Sequence, residues 1–133
     1  MHRDRPEAFI IDAVALIDYC HSDPTVLNLI STNLGQLHVV TLVLEEVNEL
    51  DEQRSVAFGL AVVEPTLEQL AEAARGVGAL SFTDRICLVL ARANGWTCIT
   101  NDVALRQECR DVGIRVFWGL ETLAYLVDCG ALT

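Results

Sequence analysis

Four acidic residues stand where short apolar runs give way to helical stretches. They are Asp12 after Phe9-Ile10-Ile11, Glu46 one turn beyond the run at 38–41, Asp84 in Ser81-Phe82-Thr83-Asp84, and Asp102 after Cys98-Ile99-Thr100. Carboxylates that converge suit Mg²⁺ and Mn²⁺, hard cations that take oxygen ligands and retain several waters. A cation held this way can activate water and neutralise charge on a phosphodiester, with no need for His, Cys or Lys. Asp12, Glu46, Asp84 and Asp102 are therefore the candidate catalytic residues.

Each carboxylate also has a structural alternative. An Asp at a strand-to-helix junction commonly caps the helix, which accounts for Asp12 or Asp102 taken singly. Ser81 and Asp84 have the spacing of a capping box. Glu46 has to be chosen from the pair Glu45-Glu46. At about 100° per residue along a helix over 42–53, Glu46 falls beside Val43 and Leu50 on the apolar face, and Glu45 falls nearly opposite. In the helix after Ser81, Arg85 and Arg92 mark the solvent stripe, and Asp84 projects with Cys87, Leu88 and Ala91. A carboxylate held on an apolar side needs a counter-charge, because burying it unpaired is costly.

The elements that must position these groups alternate along the chain. Strand-like runs fall at 8–11, 38–41, 61–64, 97–100 and 115–118, and helical patterns near 14–20, 24–33, 42–53, 67–75, 82–93, 103–112 and 120–129. Glu64-Pro65-Thr66 opens a helix, Asn94-Gly95 closes one and Gly113 closes another. Alternation of this kind predicts a parallel sheet covered by helices, and ligands bind such sheets outside the carboxyl ends of the strands. Asp12, Glu46 and Asp102 should share that edge.

At 133 residues without a linker, repeat or low-complexity stretch, the chain reads as one domain over 1–133. It is 52% hydrophobic, with a mean hydropathy of +0.36, yet no run is long enough to span a bilayer. The first nine residues lack the apolar segment of an export signal, so a cytoplasmic location and no membrane partner are expected. The apolar excess, with Leu123, Tyr125, Leu126 and Val127 in the last helix, predicts a homodimer or a stable complex.

The net charge is −10, and every basic residue is arginine. Residues 1–74 hold thirteen acids against three arginines, while 75–133 hold six of each. Generic nucleic-acid adsorption needs a basic field and is disfavoured. The five cysteines form no CxxC or Cys/His cluster, and His2, His21 and His38 are isolated. Dinucleotide, phosphate-loop, hydrolase-elbow and zincin motifs are absent from the sequence.

The segments Ile10-Ile11-Asp12-Ala13-Val14-Ala15-Leu16-Ile17, Val43-Leu44-Glu45-Glu46-Val47, Leu80-Ser81-Phe82-Thr83-Asp84 with its helix through Ala91, and Ile99-Thr100-Asn101-Asp102 occur in order over nearly the whole chain. In that arrangement the sequence resembles the PIN-domain family, particularly the small VapC-like toxin ribonucleases. The resemblance implies a PIN-like three-layer α/β domain with sheet order 3-2-1-4-5 and Mg²⁺- or Mn²⁺-dependent cleavage of an RNA substrate. It also implies a homodimer and an antitoxin partner. By the same resemblance Asp12, Asp84 and Asp102 would be the metal ligands, Glu46 would complete the pocket and Thr100 would support Asp102. The chain departs from the pattern at Ala13, where a hydroxyl or amide residue is common, and at Asn101, where another acid is sometimes found. Phe117-Trp118-Gly119-Leu120-Glu121-Thr122-Leu123 resembles the close of PIN proteins described only as predicted nucleic-acid binders.

Two other classes compete with a ribonuclease. A catalytically quiet PIN-fold scaffold for protein or RNA has no chemical reason to keep four inward carboxylates. A phosphoacceptor receiver uses a lysine near its site, and this chain has no lysine.

Overall fold

The strand leading to Asp12 is apolar on both faces, and Phe9, Ile10 and Ile11 are all buried. Such a strand belongs at the centre of a covered sheet. In the computed structural model, which describes residues 7–76 and 78–132, β1 (Glu7–Ile11) is the middle strand of five. The N-terminal residues read for an export signal, His2 among them, lie partly outside that range.

The strands β2 (Gly35–Val40), β3 (Ala61–Val63), β4 (Thr97–Ile99) and β5 (Val116–Phe117) complete a sheet of order β3-β2-β1-β4-β5, as the resemblance implied. All four pairings are parallel. The edge strands β3 and β5 are short and only half-buried, whereas every residue of β4 is buried.

Among the described residues eight helices flank the sheet: α1 (Ala13–Ser22), α2 (Thr25–Asn33), α3 (Thr41–Glu45), α4 (Glu52–Ala57), α5 (Leu67–Ala74), α6 (Phe82–Asn94), α7 (Val103–Asp111) and α8 (Gly119–Asp128). Their ends follow the punctuation in the sequence. Thr66 and Gln69 form a reciprocal capping box at α5, and Gly95 closes α6 at φ 71°, where a side chain would be strained.

One helix differs from expectation. The stretch 42–53 is not continuous: α3 ends at Glu45, and the chain turns before α4. Two causes act together. The amides of Glu46 and Val47 bond three residues back, to Val43 and Leu44, which tightens and ends the first helix. Asp51 then caps a new one, accepting from the Arg54 amide at 2.8 Å.

Register sets the site. Ile11 pairs with Ile99, so the next residues on the two strands, Asp12 and Thr100, are neighbours at the carboxyl edge. The Asp12 amide extends the pairing by donating to the Ile99 carbonyl at 3.1 Å. The Thr100 amide does the same toward Phe117 at 3.0 Å.

Candidate functional site

Asp12 is fully buried at the N-cap of α1, where Oδ1 accepts from the Ala15 amide at 2.9 Å. Its other oxygen, Oδ2, accepts from the Thr100 hydroxyl. Burial is the main reason its pKa is pushed up to about 6, opposed by these two hydrogen bonds and reinforced by the charges of Asp84 and Asp102. Asp12 is thus both the cap its position suggested and an electrostatic neighbour of two other candidates.

Thr100 does more than stand behind Asp102. While donating to Asp12, its Oγ1 accepts from the Asp102 amide at 2.9 Å, so one hydroxyl ties the two acids together. Asp102 caps α7, with Oδ1 accepting from the amides of Ala104 and Leu105 at 2.8 and 3.1 Å. Oδ2 takes no part in these capping bonds.

Asp84 is half-buried in the first turn of α6, and its amide donates to Oγ of the N-cap Ser81 at 3.1 Å. Its pKa is raised, first by burial and next by the charge of Asp102, with Glu46 adding to the effect. On the same helix Cys87 and Ala91 are buried, so the side that carries Asp84 is apolar as its spacing suggested.

Glu46 reaches this neighbourhood by a route the sequence did not reveal. It is exposed, at the end of α3, so the helical-wheel argument that turned it inward rested on a helix that stops at Glu45. What directs it is Thr83, whose hydroxyl donates to Oε2 at 2.5 Å. Thr83 is itself buried. The available signal was a hydroxyl residue beside Asp84 at the start of an amphipathic helix.

The loop between β4 and α7 is clamped from two sides. The Asn101 amide nitrogen donates to Asp18 Oδ2 at 2.7 Å, and its Oδ1 accepts from the Gly119 amide at 2.8 Å. A Cβ at position 119 would lie 3.0 Å from Asn101 Oδ1, so this approach favours glycine. Tyr19 adds a second tie, its hydroxyl donating to the Gly119 carbonyl at 2.8 Å. Where the related motif sometimes carries an acid, Asn101 therefore joins α1 to α8.

The donor chemistry of Asp12, Asp84 and Asp102 suits a hard cation, because all three offer carboxylate oxygens. As the side chains stand, no group of three or more His, Cys, Asp or Glu among the described residues converges closely enough to hold a metal ion. The capping bonds explain part of this, since they hold Asp12 and Asp102 to their own helices. Like-charge repulsion opposes closer approach.

A parallel sheet of this order with acids at its carboxyl edge defines a PIN-like α/β fold. Comparison with solved structures agrees. The chain is similar to a PilT N-terminus domain protein from the hyperthermophilic archaeon Sulfolobus solfataricus P2, with a TM-score of 0.68 and 14% identity over 89% of this chain and 92% of that one. It is similar to PAE2754 from Pyrobaculum aerophilum, with a TM-score of 0.61 and 20% identity over 92% and 90% of the two chains. A third likeness is to VapBC2 from Rickettsia felis, solved bound to a DNA fragment from their promoter, with a TM-score of 0.56 and 13% identity over 84% and 98%. No family model and no curated protein matches the chain. Among the described residues no helix is long and apolar enough to cross a membrane.

Proposed function

We propose that this protein is a divalent-metal-dependent endoribonuclease of the PIN type, acting as the toxin of a toxin–antitoxin pair. The observation that carries the reading is Asp12, a fully buried carboxylate at the carboxyl edge of the sheet that Thr100 ties to Asp102. Bound Mg²⁺ or Mn²⁺ would activate water and neutralise charge on the scissile phosphodiester. Asp12, Asp84 and Asp102 are the residues that would hold it. Asp102 offers Oδ2, and Asp12 keeps a further lone pair on each oxygen beyond its two hydrogen bonds. Glu46, tied through Oε2, offers Oε1 to orient a water.

The same reading takes RNA as substrate, a cognate antitoxin as regulator and the cytoplasm as location, with residues 1–133 acting as one domain. It also takes a homodimer as the assembled form. Leu120 and Val127 are 79% and 49% exposed and lie two turns apart on one stripe of α8, an apolar line suited to a second copy. The likeness in fold to VapBC2 supports the toxin assignment.

A catalytically quiet scaffold is the second reading, favoured by the lack of three converging ligands among the described residues. Incubating the protein with a structured RNA, with and without Mn²⁺, separates the two. Cleavage that requires the metal and stops with chelator supports the nuclease; intact RNA at all metal concentrations supports the scaffold.

A further inference from the structure

Thr83 lies in the first turn of α6, one residue before Asp84, and is 8% exposed. A buried hydroxyl needs an acceptor. In a helix interior threonine can use the carbonyl four residues back. At this position residue 79 precedes the N-cap Ser81, so that carbonyl is not part of the helix. The hydroxyl donates instead to Glu46 Oε2 at 2.5 Å, a contact between residues 37 apart in sequence.

Glu46 has little else to fix it. It is exposed, follows a helix of five residues and sits on a backbone turn rather than in a continuous helix. A glutamate side chain in that setting samples several rotamers. The Thr83 bond selects one of them, and it does so from the helix that also carries Asp84.

We propose that Thr83 is the positioning residue for Glu46, holding its carboxylate beside Asp84 so that α3 and α6 present their acids as one unit. Its catalytic consequence rests on the nuclease reading, whereas the contact itself does not. Thr83→Val keeps the shape and removes the donor; Thr83→Ser keeps the donor.

The test has two arms, both on the full chain. In the first, side-chain ¹³C NMR of Glu46 should show one preferred rotamer in the wild type and Thr83→Ser, and rotamer averaging in Thr83→Val. In the second, Mn²⁺-dependent RNA cleavage should fall roughly tenfold in Thr83→Val, within the usual range for losing an outer-shell partner, and recover in Thr83→Ser. In a Glu46→Ala background, which removes the acceptor, Thr83→Val should cause little further loss, since the two act through one contact. A Val variant that cleaves like wild type, or an equal loss in the Glu46→Ala background, would overturn the proposal. An inactive wild type would overturn the nuclease reading instead, and the NMR arm would then decide the contact alone: averaged Glu46 rotamers in the wild type would reject it, and one rotamer lost in Thr83→Val would uphold it.

Discussion

The hydroxyl of Thr100 donates to the carboxylate of Asp12 across the junction of β1 and β4, and accepts the Asp102 amide on its other side. The relationship follows from register, because Ile11 pairs with Ile99 and the next residue on each strand must meet. Thr100→Val should therefore remove two hydrogen bonds at a fully buried position. The expected cost is about 1–3 kcal/mol, read from chemical denaturation. Because that bond lowers the pKa of Asp12, its loss should also move the acid limb of the cleavage profile to higher pH. Thr100→Ser should behave close to wild type; a Val variant as stable as wild type would count against the bridging role.

The pH dependence of stability has a definite sign. Asp12 is raised from 3.8 to about 6 by burial, so between those values the folded protein holds a proton that the unfolded chain has lost. Stability contributed by this group then rises as pH falls from 7 toward 5, by on the order of 1 kcal/mol. Asp84, also raised, acts in the same direction. His38, lowered from 6.5 chiefly by burial, acts oppositely in this window, and the lowered carboxyls of Asp23, Glu49 and Glu121 do so at more acid pH, so the clean measure is a difference. Melting the metal-free protein at pH 5 and 7 should show a stronger stabilisation on acidification in wild type than in Asp12→Asn. Identical pH responses would show that Asp12 is not held at an elevated pKa.

Asn101 should resist replacement by an acid. Its amide donates to Asp18, so Asn101→Asp would set two carboxylates against each other and lose that donor. We expect a fall of about 1 kcal/mol or more in stability, largely restored by pairing the change with Asp18→Asn. Equal stability of Asn101→Asp and the double variant would mean that the clamp contributes nothing.

Much of this was readable beforehand because it depends on local chemistry. Short runs with apolar cores such as Phe9-Ile10-Ile11 and Cys98-Ile99 belong in a sheet covered on both faces, and the caps Thr66 and Gly95 mark helix ends directly. The sheet order came from the ordered motifs, since local pattern does not specify which strands pair. The break between α3 and α4 was missed because Val43, Val47 and Leu50 are all buried, as one helical face would be, although the chain turns between them. The contacts of Thr83 with Glu46 and of Asn101 with Asp18 join residues 37 and 83 apart, a distance that periodicity cannot bridge.

The stripe of Leu120 and Val127 predicts the assembly state. Sedimentation at micromolar concentration should give about twice the 14.6 kDa chain mass, and Leu120→Asp with Val127→Asp should return the monomer without loss of thermal stability. A monomeric wild type would remove the homodimer from the account.

We propose that Asp12, Glu46, Asp84 and Asp102 act as one metal-dependent nuclease site rather than as separate caps and surface charges. The most direct test measures Mn²⁺-dependent RNA cleavage beside the metal-free melting temperature for Asp12→Asn and Asp84→Asn, with the exposed Glu45→Gln as control. Asparagine caps a helix about as well as aspartate, and neutralising one of several repelling carboxylates relieves strain in the metal-free protein. Cleavage should be lost in both Asn variants and kept in Glu45→Gln, while the melting temperature at pH 7 stays level or rises. Retained cleavage in Asp12→Asn and Asp84→Asn would contradict the proposal.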